Sequence, residues 1–186
     1  MLKAILFDLH GILISKFPLE PYLKGASELF ISKGYDFDIE DLKIKYGTLS
    51  FATYKLGFHK DYLSMLDNLP ILEDKDEELI ELLGNIKQKM YIVTDTSTKN
   101  CIRTLNLANI DTGLFNAIFT GNDVTEPKPS TELYKLVLNE GFKPEECLII
   151  GDRLTDIMPA YELGIGGLLC NYDTFKNILR LIGDKE

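Results

Sequence analysis

Short apolar runs alternate with stretches of helical periodicity over most of this chain. Lys3–Leu9 (KAILFDL) reads as a buried strand that carries Asp8, and similar runs recur at Met90–Val93, Leu148–Ile150 and Gly167–Cys170. Over Asp76–Ile86, Ser97–Leu107, Thr131–Asn139 and Thr155–Leu163 the apolar residues return every three or four positions, which lines one face of a helix. Ser, Thr or Asp opens each of these segments, and Gly164 closes the last. Strand alternating with helix predicts an α/β fold, a three-layer Rossmann-like parallel sheet with helices on its faces.

The alternation stops between about Ile12 and Lys75. No convincing strand occurs there, only helix-like segments around Pro21–Ser32, Ile39–Tyr46 and Tyr54–Leu66. The pattern predicts a core of residues 1–12 and 76–186 interrupted by a small helical cap, residues 13–75, inserted after the first strand. The aromatics of that insertion, Phe30, Tyr35, Phe37, Tyr46, Phe51, Tyr54, Phe58 and Tyr62, are expected to form its own core rather than a substrate pocket. The acidic run Glu73–Leu79 (EDKDEEL) marks the return to the core and a solvated first helical turn, where carboxylates suit the dipole. No internal repeat or low-complexity segment is evident.

Composition narrows the function classes. A chain of 186 residues buries a real core without disulfide or metal staples. A hydrophobic fraction of 45%, a charged fraction of 26% and a mean hydropathy of −0.01 exclude a disordered or membrane-embedded class. Net charge of −9 and an isoelectric point near 4.8 count against a nucleic-acid partner, because phosphate backbones are gripped by clustered Lys and Arg. A small phosphorylated metabolite is still compatible, provided that a metal, a lysine and oriented N–H groups override the global field locally. Cys101, Cys147 and Cys170 are odd in number and form no CxxC pair, so neither a disulfide framework nor a zinc site is indicated. With no signal-peptide pattern at the start and no run of spanning length, a cytoplasmic location without membrane association is expected.

In an open parallel sheet, ligands bind beyond the carboxyl ends of the strands. Four such positions carry candidate chemistry: Asp8, Thr94 with Asp95, Lys128 in the loop EPKP, and Asp152 with Asp156 in GDRLTD. Each alone is an ordinary cap, turn or solvated residue; together, in this order, they describe a site. If Asp8, Asp152 and Asp156 converge, their repulsion requires a compensating cation, and all-oxygen ligation suits Mg²⁺. Lys128 would neutralise the remaining charge and grip a phosphate, with the Thr94 hydroxyl as a further donor. Pro127 and Pro129 stiffen the loop that presents Lys128.

The segments FDLHG, IVTDTS, EPKP and IIGDRLTD resemble the four motifs of the haloacid dehalogenase (HAD) superfamily. The resemblance covers nearly the whole chain, and the helical insertion is similar to the cap of the phosphoglycolate-phosphatase-like branch. The stretch YGTLSFATYKLGFHKDYLSML followed by NLPI loosely resembles pyrimidine 5′-nucleotidase-like members. What the resemblance implies is a Mg²⁺-dependent phosphatase hydrolysing a small phosphomonoester. Asp8 would attack phosphorus to give an aspartyl-phosphate that water then cleaves. Thr94, Asp95 and Lys128 would bind the phosphoryl group, and Asp8, Asp152, Asp156 and the His10 backbone carbonyl would hold the metal.

The first motif departs from the family's usual Asp-x-Asp-Gly-Thr, reading Asp8, Leu9, His10, Gly11, Ile12. The second Asp ordinarily serves as general acid and base. His10 is a chemically reasonable substitute, since an imidazole ordinarily titrates near pH ~6.5. Ile12 is expected to pack beneath the nucleophile loop. Two alternatives follow: a catalytically impaired, phosphate-binding or regulatory protein, and a metal-independent 2-haloacid dehalogenase, against which the paired acids of GDRLTD argue. A response-regulator receiver fits poorly, because its phosphoacceptor ends the third strand and it has no helical insertion. In the cap, His59 and Lys60 are expected at the surface rather than on an anionic substrate.

Overall fold

The computed structural model describes residues 1–183. Five strands form one parallel sheet in the order β3-β2-β1-β4-β5: β1 (Ala4–Phe7), β2 (Lys89–Val93), β3 (Ala117–Phe119), β4 (Cys147–Gly151) and β5 (Gly166–Leu169). Strand β1 lies at the centre, every residue buried, which is why AILF is apolar without alternation. One face of the sheet packs Ile5, Phe7, Ile92 and Ile150 against Leu79, Leu83, Leu105 and Phe175. The other packs Leu6, Tyr91, Val93 and Ile149 against Leu133, Val137 and Ala160. The covering helices are α5 (Glu77–Gly84), α6 (Thr98–Leu107), α7 (Glu132–Leu138), α8 (Leu154–Glu162) and α9 (Tyr172–Gly183), with single 3₁₀ turns at Thr112–Leu114 and Pro144–Glu146.

Four helices lie between β1 and α5: α1 (Leu19–Ser32), α2 (Ile39–Tyr46), α3 (Leu49–Lys55) and α4 (His59–Leu66). They bury a separate apolar cluster around Phe30, Leu49, Phe58, Tyr62 and Leu66, with Phe37 and Tyr46 packed against it. The single helix expected over Tyr54–Leu66 is two, broken at Leu56–Phe58, where Gly57 takes φ +84° and ends the first. Among the described residues no helix is long and apolar enough to cross a membrane.

The structure revises several other readings. The first strand is Ala4–Phe7 and stops short of Leu9, because Leu13 N and Ile14 N turn back to the Leu9 carbonyl. Strand β3 was not expected; three residues are too few to show a pattern, and it exists because Ala117–Phe119 pairs with Tyr91–Val93. Helix α9 was likewise not expected, although its Phe175 and Leu179 are wholly buried. Asp74, inside the run read as solvated, is nearly buried: its Oδ2 accepts from Ser15 N at 2.5 Å and Lys16 N at 3.0 Å, tying together the two chain segments that enter and leave the helical insertion. Asp76 does cap α5, accepting from Leu79 N at 3.0 Å.

Candidate active site

The strand order reverses at β1, with β2 and β3 on one side and β4 and β5 on the other, so the crevice opens beyond the adjacent ends of β1 and β4. Phe7 pairs with Ile150, and Asp8 N continues the ladder to the Ile150 carbonyl at 3.0 Å. Asp8 and Asp152 thus leave neighbouring strands side by side. Asp156 follows from the first turn of α8, where its Oδ2 accepts from Arg153 N at 3.1 Å. Carboxylate oxygens of Asp8, Asp152 and Asp156 lie within 4.8 Å of one another. Two glycines permit this approach. A Cβ on Gly11 (φ +89°) would stand 2.4 Å from Asp152 Oδ2, and one on Gly151 would stand 2.5 Å from Asp156 Cβ.

Lys128 enters this cluster from the loop before α7. Its ammonium donates to Asp8 Oδ1 at 2.8 Å, Asp156 Oδ1 at 2.7 Å and the Val93 carbonyl at 2.8 Å. Burial opposes its charge, but Asp156 and Asp8 outweigh that and hold the amine protonated, well above the usual lysine range. Thr48 Oγ1, from the helical insertion, donates to the Lys128 carbonyl at 3.3 Å. Asp95, placed by sequence among phosphate-binding residues, turns its Oδ1 to the backbone N–H of Lys128 at 2.9 Å, so in this structure it anchors the lysine loop. Thr94 is buried at the end of β2 and lines the cavity.

Burial raises the pKa of three of these carboxylates. Burial, reinforced by Asp8, pushes Asp152 up to about 6; burial raises Asp156 despite Lys128; burial pushes Asp95 up to about 7. Asp152 Oδ1 is buried with no hydrogen-bond donor. An orphaned carboxylate oxygen within an all-oxygen cluster suits a hard divalent cation, and the donor set fits Mg²⁺.

A cavity of about 420 Å³ lies between this cluster and the helical insertion, of the size that admits a small metabolite. His10 forms part of its wall, its ring edge-on to Phe17 at 4.9 Å. Burial, then the neighbouring Arg153, lowers the imidazole to about 4, so it is neutral at pH 7, unlike a free histidine poised near its midpoint. Ile12 is wholly buried in the cluster beneath the sheet end, as expected. Tyr62 belongs both to the insertion's core and to the cavity wall, where its hydroxyl meets that of Tyr22 at 2.9 Å. His59 and Lys60 do not line the cavity; His59 Nδ1 lies 3.1 Å from Thr53 Oγ1. Tyr22, Lys43, Ser50 and Arg153 also line the cavity and lie outside the residues that the strand-end motifs predict. Of these only Arg153 carried a signal, through its place inside GDRLTD.

Comparison with known proteins agrees with this geometry. Residues 26–169 match the family model of haloacid dehalogenase-like hydrolases. A phosphorylated carbohydrates phosphatase of Thermotoga maritima is 22% identical over 88% of this chain and 82% of its own length. The pyrophosphatase PpaX of Bacillus velezensis is 28% identical over 87% of this chain and 79% of its own. Among solved structures, the HAD-hydrolase YfnB of Bacillus subtilis, bound to magnesium, superposes with a TM-score of 0.63 at 18% identity, over 96% of this chain and 99% of that one. Given a family match across well over half its length and the expected strand-end constellation, this chain belongs to the haloacid dehalogenase-like hydrolases and is an enzyme.

Proposed function

We propose that this hydrolase is a Mg²⁺-dependent phosphatase acting on a small phosphomonoester, with Asp8 as nucleophile. The observation that carries the reading is the meeting of Asp8, Asp152 and Asp156, one Asp152 oxygen orphaned and Lys128 bonded to Asp8 and Asp156, beside a metabolite-sized cavity that Asp8 and Asp156 line. Support also comes from the relatives, one named a phosphatase and one a pyrophosphatase, and from a structural neighbour solved with magnesium. Residues 13–75 act as the cap over a core of residues 1–12 and 76–186, screening the site and selecting the leaving group. The three free cysteines suit a reducing cytoplasm.

Asp8, Asp152, Asp156 and the backbone carbonyl of His10 would hold Mg²⁺. The bound ion supplies positive charge that offsets the repulsion between carboxylate and phosphate. Lys128 fixes the Asp8 carboxylate, whose free oxygen attacks phosphorus as the bond to the leaving oxygen breaks, placing the phosphoryl group on Asp8 and releasing an alkoxide that takes its proton from solvent. The Thr94 hydroxyl would donate to the phosphoryl oxygens and the nearby charge of Lys128, which has no free donor, would offset theirs, while Asp95 keeps the lysine loop in position. Water then attacks the same phosphorus. His10, as a neutral imidazole, accepts the water's proton and Asp8 is restored.

The test is phosphate release from an aryl phosphate and a panel of small phosphomonoesters, comparing wild type with Asp8→Asn, with and without EDTA. Turnover that needs Mg²⁺ and vanishes in Asp8→Asn is the expected result. Turnover that persists in either control would remove the mechanism; phosphate binding without turnover would favour a binding protein.

A further inference from the structure

The two walls of the cavity differ in charge. Its carboxylates, Asp8, Asp95 and Asp156, all come from the sheet end, whereas the lining residues of the helical insertion include no acid and one charge, Lys43, itself paired with Glu40 at 3.3 Å. Lys128 is committed, each of its three donors being engaged by Asp8, Asp156 or Val93. Arg153 is held more loosely: its side chain is 65% exposed, and its Nε forms an ion pair with Asp152 Oδ1 at 3.8 Å, too long for a hydrogen bond. Arg153 lines the cavity together with Tyr22 of the insertion. Ser50 lies on the insertion's wall, 3% exposed, with its Oγ buried and without a hydrogen-bond partner. A buried hydroxyl left unpaired beside a cavity is costly unless a ligand satisfies it.

We propose that the cavity holds, between Arg153 and the helical insertion, a subsite for a second anionic group, so that the substrate is a phosphomonoester whose leaving group bears a carboxylate or another phosphate, gripped by Arg153 and hydrogen-bonded by Ser50. Arginine's planar fork of N–H donors matches either anion. Phe17, Leu19, Tyr22 and Leu49 also line the cavity and are apolar or aromatic. The subsite rests on the phosphatase reading for its substrate class, but its preference for a second anion is measurable without turnover.

Three matched probes test it: propyl phosphate, 3-phosphonooxypropionate and 1,3-propanediol bisphosphate, assayed with Mg²⁺ on the full chain. The expected result is a kcat/KM at least tenfold higher for the two probes with a second anion, carried mainly by KM. In Arg153→Gln that preference falls below threefold, and Arg153→Lys recovers part of it. Ser50→Ala, nearly isosteric, reduces the preference severalfold. Circular dichroism melts check that the variants are folded. Equal kcat/KM for all three probes in a turning-over wild type would overturn the subsite while leaving the phosphatase reading intact. If nothing is turned over, the phosphatase reading fails, and calorimetric binding of the same probes decides: at least tenfold tighter binding of 3-phosphonooxypropionate than of propyl phosphate, lost in Arg153→Gln, supports the subsite, and equal binding overturns it.

Discussion

His10 is where this chain departs most from its family in chemistry. Burial and the charge of Arg153 lower its imidazole to about 4, so in the resting site it holds no proton for a leaving oxygen at neutral pH. Restoring the acid therefore tests the proposed chemistry directly. We expect His10→Asp to raise kcat on alkyl phosphates by about 10²-fold, and less on aryl phosphates, whose leaving groups need less protonation. A variant slower than wild type on both classes would show that His10 is already suited to its role. Gly11 gives a second residue-scale prediction. Its φ of +89° alone costs a side chain about 1–2 kcal/mol, and an alanine Cβ would also collide with Asp152 Oδ2 at 2.4 Å. Gly11→Ala is expected to lower the melting temperature and to weaken Mg²⁺ binding by calorimetry; unchanged Mg²⁺ affinity would count against Asp152 as a metal ligand.

Among the elements, α5 and α9 show how sequentially distant helices are joined by one carboxylate. Asp76 caps α5 through Leu79 N and accepts from Tyr172 Oη and Lys176 Nζ of α9, each at 2.9 Å. Burial works to raise its pKa, but these three donors outweigh it and hold the carboxyl below its ordinary value of 3.8. A depressed carboxylate contributes stability that is fully present above its unfolded value and is lost as pH falls through the folded one. Asp76→Ala should cost about 1–2 kcal/mol at pH 7 in urea unfolding, and the gap between wild type and variant should close below pH ~3.8. A gap that persists unchanged at low pH would mean that the loss is packing rather than charge. The α5 start was legible in sequence as a run of acids, yet its docking on α9 was not, because nothing local marks Lys176 as a partner for a residue 100 positions earlier.

For the molecule as a whole, polar contacts hold the helical insertion together at its base and tie it to the core, among them Thr48 Oγ1 to the Lys128 carbonyl and Ser97 Oγ to Asp67 Oδ1. Asp74 joins the entering and leaving segments through Ser15 and Lys16; Asn100 donates to the Leu66 carbonyl and Arg103 to the Asp67 carbonyl, both at 2.8 Å. Removing the Asp74 carboxylate leaves two backbone N–H groups without their acceptor. Asp74→Ala is expected to cost about 2 kcal/mol, a fall of about 4–8 °C in the melting temperature, measured by calorimetry. If the proposed cap also relies on this tie for its position, KM rises in the same variant; an unaltered melting temperature would show the tie to be dispensable.

By itself the sequence determined the parallel α/β class, the helical insertion after the first strand, and which residues are candidates for the site, because buried strands, amphipathic helices and strand-end motifs leave local patterns. Four of the five strands were legible as apolar runs; β3 was not, since its three residues become a strand only by pairing with β2. Only the tertiary structure decided that Lys128 spends its donors on Asp8, Asp156 and Val93, that Asp95 holds the lysine loop, and that Asp152 keeps an orphaned oxygen. It alone set Arg153 and Ser50 on the cavity. The physical reason is range: periodicity records what a residue's neighbours in sequence require, whereas charge balance and hydrogen-bond satisfaction are settled among groups brought together from 28 to 120 positions apart.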